Sequence, residues 1–520
     1  MLNMEALLLD QSKAKDVTLE EIKRDVFKDG STWISLRSLY KKYKALDVDK
    51  HIKSKDLIIE EKGGENFVTT REILSLERKC AEILSRYATF PTTYHKREEI
   101  DALIEKVEKG IGIKLADKQK DAIYTCVLNK VSYIAGIPGS GKTTVVKALI
   151  RVLGEIKEIN SPITDVTYLA PTGKACNRLK ESMGSKFIKA YTCDHFALSK
   201  EPIGKVIIID ESSMLNLETF EKMLEKISKE QGSKRLIFLG DRFQLTSVGA
   251  GTIFKDITQS LINGTFLEEC FRQDKACKNL TSAIKEIVDC TFNFTEGEDF
   301  KLIKNPNPDK VVKGLACLYM QERLKYGEKN VALLIPFKKA GKVNSNTLNE
   351  EIIKMLTKGR KLVNGFFLGE RVFQNINRPY ATNGEIGTII EAKEDSVKVI
   401  FDSGNGKSIP YTVANAKKEL EPAYALSVHK SQGSEYQSII VVGLKEHKFT
   451  LTKNLIYTGV TRAKKKCTFI YDTDVLSDCS KEASEMRNTF FTDILNEELV
   501  KRGIKEKEKG EFKERLAETL

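Results

Sequence analysis

Eight consecutive residues, Gly136-Ile137-Pro138-Gly139-Ser140-Gly141-Lys142-Thr143, set glycines, a lysine and a hydroxyl at the spacing that wraps a phosphate chain. Glycine at 136, 139 and 141 lets backbone N–H groups turn inward, and the N-terminus of the helix that follows adds its partial positive charge. Lys142 is expected to neutralise β- and γ-phosphate oxygens and Thr143 to ligate Mg²⁺, with Pro138, Ser140 and Thr144 completing the cradle. The apolar run Val131 to Ala135 precedes these residues and the helical run TTVVKALIRVL follows, so strand, loop and helix should succeed one another.

A second apolar run, Val206 to Ile209, ends in Asp210-Glu211. Carboxylates at the carboxyl end of a strand lie where α/β sheets hold ligands. Asp210 is expected to hold Mg²⁺ through its water shell and Glu211 to orient and deprotonate an attacking water. An apolar run followed by Asp-Glu is also a common helix cap, and it is the phosphate loop upstream that favours chemistry here. A third run, Leu236 to Leu239, leads into Gly240-Asp241-Arg242-Phe243-Gln244-Leu245. There Gln244 offers a neutral side chain able to sense a γ-phosphate.

The elements that must position these groups follow from periodicity. Between about 111 and 475 the runs VSYIAGI, DVTYLAP, KVIIIDE, RLIFLGD, VALLIP, SIIVVGL and CTFIYD alternate with helical stretches. Such runs predict parallel strands covered by helices on both faces, in two successive α/β halves. The segment GEIGTIIEAKEDSVKVIFDSGNGKSIPYTV switches to period-two alternation, which predicts a small antiparallel barrel at about 388–422 inside the second half. The first 110 residues contain helical runs, a hairpin-like LIIEEKGGENFVTT and a further helix. They read as an α-rich accessory unit, winged-helix-like or a plain helical docking domain. The expected layout is 1–110 accessory, 111–270 first half, 271–500 second half with the barrel, and 501–520 a charged tail.

Bulk properties narrow the function classes. A chain of 520 residues with 41% hydrophobic content can bury roughly two to four domain cores, which excludes wholesale disorder. Lys and Arg (85) exceed Asp and Glu (73) by 12, which points toward a polyanionic partner without deciding it. Ten cysteines without a C-x-x-C pair, and a start lacking a signal pattern, predict reduced thiols in a cytoplasmic protein with no disulfide framework and no zinc site. No run approaches the roughly 18 apolar residues of a membrane span. Five dispersed histidines predict no metal cluster and no nuclease or relaxase constellation.

The order of motifs from Lys118 to Ala463 resembles the superfamily 1 DNA helicases of the RecD/Dda branch, and the helicase portions of conjugative relaxases are similar. The resemblance rests on Lys118-Gln119, Ala170-Pro171-Thr172-Gly173-Lys174, Asp210-Glu211-Ser212-Ser213-Met214, the stretch from Gly240 to Gly251, and Leu267-Glu268-Glu269-Cys270-Phe271-Arg272-Gln273. In the second half it rests on Asn383-Gly384-Glu385-Ile386-Gly387, Ser427 to Glu435, and Tyr457 to Ala463. It implies two RecA-like domains in tandem with an SH3-like β-barrel inserted in the second, and an ATP-driven motor moving 5′→3′ on single-stranded DNA in replication, repair or recombination. By that resemblance Gln119 recognises adenine, Arg272 and Arg462 act as arginine fingers, and Gln432 joins them at the nucleotide. Arg presents the bidentate fork suited to charge spread over phosphoryl oxygens. Pro171, Thr172, His195, Asn383, Ser427 and His429 would lie along the strand, although His429 also suits a buried structural role. Implied partners are a forked or tailed duplex and a replication or recombination protein docking on residues 1–110.

Two departures stand out. Thr192-Cys193-Asp194-His195 is one residue longer than the family's Thr-x-His, and Phe196 to Lys205 is too short for the family's strand-splitting hairpin. The wedge is then a stub, is supplied by the N-terminal unit or the barrel, or is missing, leaving poor unwinding. A viral-type RNA helicase and a nucleic-acid-stimulated ATPase switch are the competing readings.

Overall fold

The computed structural model describes residues 18–504 apart from 28, 94, 185–187, 272–276, 309, 359–361, 379, 404–405 and 482–486. Arg272 and all but the first four residues of the expected 501–520 tail therefore lie outside the described residues.

Six parallel strands form the first sheet, in the spatial order Ala190–Thr192, Val166–Ala170, Val206–Ile209, Arg235–Gly240, Val131–Gly136 and Gly264–Leu267. Its central strands are mostly apolar because both faces are covered, with Ser132, Thr167 and Arg235 as buried polar exceptions. Ile207, Ile209, Leu236 and Phe238 pack on one side with the helix Leu217–Lys229, while Val206, Ile208, Ile237 and Leu239 pack on the other with the helix Lys142–Glu155. The register sets Ala135 beside Gly240 and Ile209 beside Phe238. The phosphate loop, Asp210 and Asp241 consequently emerge along one sheet edge.

The second sheet is also parallel, in the order Phe300–Lys304, Ala463–Tyr471, Tyr436–Gly443, Val331–Ile335 and Ala425–Ser427. Between its strands the chain builds a five-stranded antiparallel sheet, ordered Ser408–Thr412, Ser396–Phe401, Ile386–Ala392, Arg371–Gln374 and Leu420–Pro422. This sheet starts at Arg371, upstream of the stretch where alternation is obvious, and its two edge strands do not pair with each other among the described residues. Strict alternation along Ser396–Phe401 buries Val397, Val399 and Phe401 against Ile389 and Tyr411.

The N-terminal unit runs helix, short strand, helix, helix and hairpin, with Glu65–Thr70 central in a three-stranded antiparallel sheet. A fully buried Glu77 accepts hydrogen bonds from Thr32 Oγ1 (2.6 Å) and Trp33 Nε1 (2.9 Å), and burial pushes its carboxyl up to about 7. The far end of the chain returns to this unit. Phe490 stands 4.2 Å from Trp33, and Phe491, Leu495 and Leu499 join the core that holds the helix Arg71–Ala88. Their spacing of four residues places all three on one helix face. No helix among the described residues is long and apolar enough to cross a membrane.

Candidate nucleotide site and strand cleft

The phosphate loop needs left-handed backbone at Gly139 (φ 84°) and at Gly141 (φ 82°), the latter capping the helix that opens with Lys142. Buried Gln119 braces it from below: Oε1 accepts from the Ala116 N–H (3.1 Å) and Nε2 donates to Ser140 O (3.0 Å). Phe271 closes the other side, its N–H donating to Gly139 O (2.9 Å). Lys142 Nζ donates to the carbonyls of Gly136 and Ile137. Ser140 Oγ is buried without a hydrogen-bond partner, so the cradle holds unused polar capacity that a phosphate chain would satisfy.

Gly141 offers a test of this geometry. A Cβ there would stand 2.4 Å from Gln119 Nε2, on backbone that side chains rarely adopt. Gly141→Ala should therefore weaken nucleotide affinity by roughly tenfold, for strain of about 1–3 kcal/mol. Gly154→Ala, where nothing lies within 4 Å, should leave affinity unchanged and raise the thermal midpoint, because alanine favours the helix by about 1 kcal/mol. Titration with a fluorescent nucleotide and a thermal melt measure both.

At the end of its strand Asp210 accepts from the Glu211 N–H through Oδ1 (2.9 Å). Burial, and then the Glu211 charge, push the Asp210 carboxyl upward, while Lys142 and Arg178 pull it down. Glu211 itself sits in left-handed backbone (φ 49°, ψ 38°), a costly conformation for a residue with a side chain and one that concentrates at working sites. Asp241 is buried and accepts from Phe243 N (3.0 Å), Tyr457 Oη (2.8 Å) and Gln244 Nε2 (3.4 Å). Burial raises its carboxyl too, and Lys142 again opposes the shift. Gln244 Oε1 is buried and unpartnered.

The two halves meet at this edge. Leu245 N donates to Thr458 Oγ1 (2.9 Å), Gln432 Nε2 donates to Leu245 O (3.2 Å), and Asn454 Nδ2 reaches Gln244 O (3.4 Å). Gln432, expected at the nucleotide, thus hydrogen-bonds to the backbone beside Gln244. Arg462 is buried, and its guanidinium donates to Thr458 O (3.0 Å), Ser434 O (3.4 Å) and Thr461 Oγ1 (3.3 Å), all within the second half. One crossing ion pair escapes sequence reasoning: Arg178 on the helix Gly173–Met183 meets Glu435 at 2.8 Å, and its charge also acts on Glu211 and Asp210. A lone arginine on a helix carries no pattern, and only the approach of the second half gives it a partner.

The strand-contacting candidates fall in more than one place. Pro171 and Thr172 line a cleft of about 150 Å³ with Asp194, Asn216, Thr219, Val248 and Gln432. Thr172 caps its helix, accepting from Ala175 N (3.2 Å). The cleft is lined by Asp194, which accepts from Thr219 Oγ1 (2.7 Å), whereas the His195 ring stacks on Tyr191 with centroids 5.9 Å apart. Asn383 is exposed and its N–H donates to Asn377 Oδ1 (2.8 Å), while neighbouring Thr382 presses on Gly173 at the start of the Thr172 helix. Ser427 lines a separate cleft of about 230 Å³ with Lys338, Asn346, Glu421 and Lys430, and His429 opens the short turn that follows. Burial pulls the Lys430 ammonium down to about 8, and Lys430 donates to Asn375 Oδ1 (3.0 Å). Asn216, Thr219, Lys338 and Asn346 carry no motif and were not legible as lining residues, and Asp194 lies in a motif whose expected contact was His195. After the helix Cys193–Leu198, residues 199–205 contain no strand.

Family models match in the order in which these parts occur: one described as an AAA domain covers residues 114–290, and one described as a UvrD-like helicase C-terminal domain covers 422–470. The RecBCD enzyme subunit RecD of Mycobacterium tuberculosis is 27% identical over 400 residues, 67% of this chain and 68% of that protein. The ATP-dependent RecD2 DNA helicase of Deinococcus radiodurans is 25% identical over 456 residues, 82% of this chain and 58% of its own. Among solved structures, the Pif1 helicase from Candida albicans aligns with a TM-score of 0.43 at 17% identity, covering 69% of this chain and 94% of that one. With a glycine-rich loop, an Asp-Glu pair and a buried glutamine at one parallel-sheet edge, and matches that span both halves, this chain is similar to the RecD subunits and RecD2 helicase of these bacteria.

Proposed function

We propose that this chain is an ATP-dependent DNA helicase that travels 5′→3′ along single-stranded DNA and separates duplex in replication, repair or recombination. The observation that carries the reading is the bonding of the Asp241–Leu245 stretch to Tyr457, Thr458 and Gln432 of the second half. A change at the phosphate site is thereby transmitted to the half that carries Ser427 and His429, so two patches can alternately grip the strand. Lys142 and the loop N–H groups bind phosphates, Gln119 recognises adenine, and Glu211 takes the proton of the attacking water. Thr143 and Asp210 would hold Mg²⁺, which when bound supplies charge neutralisation at the phosphoryl oxygens. Arg272 and Arg462 serve as arginine fingers when the halves close. Pro171, Thr172, His195, Asn383, Ser427 and His429 contact the strand.

In the same reading the antiparallel insertion is an SH3-like barrel and residues 1–110 are a winged-helix unit that docks a replication or recombination protein. Units at 111–270 and 271–500 form the two RecA-like domains. Phosphate release is measured at low ionic strength with Mg²⁺, with and without oligo-dT, and then on 5′- and 3′-tailed duplexes. Several-fold stimulation by DNA that fades as salt rises is expected, with unwinding of the 5′-tailed substrate. Hydrolysis indifferent to DNA would refute the proposal, and stimulation by RNA alone would replace DNA with RNA as the track.

A further inference from the structure

Ser247, Val248 and Gly249, on the loop after the strand Arg235–Gly240, form part of the wall of the cleft that holds Pro171 and Thr172. The Val248 side chain is 89% exposed, while the carbonyls of Ser247, Gly249 and Gly251 converge on a single guanidinium. Arg487 Nη2 donates to Ser247 O (2.7 Å), and Nη1 donates to Gly249 O (2.8 Å) and to Gly251 O (3.1 Å). Ser247 Oγ adds a bond to Gly249 O (3.0 Å) inside the loop. Arginine carries a rigid fork of donors and keeps its charge at every working pH, so one side chain can hold several carbonyls at once.

Arg487 reaches the loop from a segment that pairs with the N-terminal unit. Asn488 O accepts from Thr32 N (3.0 Å) and Trp33 N (3.1 Å), Ser31 Oγ accepts from Asn488 N (3.0 Å), and Gly30 O accepts from Gly251 N (2.8 Å). Gly30, in left-handed backbone (φ 80°), packs on the guanidinium so closely that a Cβ there would lie 2.2 Å from Arg487 Cζ. Thr489 Oγ1 donates to Asp256 Oδ1 (2.8 Å) on the helix Ile253–Gln259 that follows the loop. Arg487 does not line the cleft and lies in no motif, so any effect it has on a bound strand passes through the loop. A loop already held in one conformation binds without an ordering cost, and one that shares its time among several binds more weakly in proportion.

We propose that Arg487 is a positioning residue for the strand cleft, gathering the carbonyls of Ser247, Gly249 and Gly251 so that the loop stands ready to meet single-stranded DNA. The inference rests on the helicase reading above.

The test uses the full chain and follows phosphate release while oligo-dT is titrated at saturating ATP, and ATP at saturating oligo-dT. Arg487→Ala should raise the oligo-dT concentration for half-maximal stimulation by roughly tenfold, as for a competent loop reduced to about a tenth of the population, and shift the KM for ATP by less than about twofold. Gly30→Ala should give the same split with Arg487 unaltered, because the added Cβ displaces the guanidinium. Leu499→Ala, at the far end of the helix Phe491–Lys501, opens a cavity in the same docked segment and should lower the thermal midpoint without moving either constant. An unchanged half-stimulation concentration in both Arg487→Ala and Gly30→Ala, or an equal rise in Leu499→Ala, would overturn the positioning role and leave the helicase reading standing. Hydrolysis by the unaltered chain that ignores oligo-dT would remove both together.

Discussion

Lys142→Ala should reduce DNA-stimulated ATP turnover by about 10²–10³-fold, the usual consequence of removing one preorganised charge from a site where phosphoryl charge develops. The surroundings make the loss acute. Lys142 opposes the upward push that burial gives both the Asp210 and the Asp241 carboxyls. Without it, nucleotide phosphates would approach two buried acids with little compensation. The Pro171–Thr172 and Ser427 clefts are lined by other residues, so oligonucleotide affinity should survive. Steady-state phosphate release and anisotropy of a labelled oligonucleotide read the two effects separately. Normal turnover would remove Lys142 from the reaction, and parallel loss of strand binding would mean the variant had collapsed.

Glu211→Gln should be nearly as severe, about 10²–10⁴-fold in hydrolysis, because an amide cannot accept the water's proton. Nucleotide binding should persist, so the variant should retain unhydrolysed ATP on a filter. The substitution keeps the shape and leaves the left-handed backbone at 211 no worse served, since glutamine carries the same Cβ as glutamate. It also deletes the charge that, after burial, most raises the Asp210 carboxyl. The ligand-free variant should therefore melt at a higher temperature than the unaltered chain near neutral pH, where that repulsion is felt, and lose the advantage in acid once the Asp210 carboxyl, whose pKa burial raises, is protonated. Normal hydrolysis, or a lower melting temperature at neutral pH, would contradict this placement of Glu211.

Much of the architecture can be read along the chain. Each of the seven long apolar runs forms a strand, because a strand covered on both faces reads as a near-continuous apolar run. The glycines of the phosphate loop are likewise local necessities, dictated by backbone that only glycine adopts cheaply. Short edge strands such as Ala190–Thr192, Phe300–Lys304 and Ala425–Ser427 were not legible, since three to five residues carry too little periodicity to separate strand from loop. Arg371–Gln374 escaped for the same reason, so the antiparallel insertion begins earlier than its alternation suggests.

The site divides along the same line. Residue types and spacing alone determined that a phosphate loop, an acidic pair and a polar third strand end share one sheet edge, because register and handedness leave parallel strands few ways to align. Tertiary structure alone decided that Arg178 meets Glu435, that Asp194 rather than His195 lines the cleft, and that Phe491, Leu495 and Leu499 pack with the N-terminal unit. Those contacts join residues far apart in sequence through side chains of ordinary type. No local pattern encodes them, because their energy exists only after two independently patterned surfaces have docked.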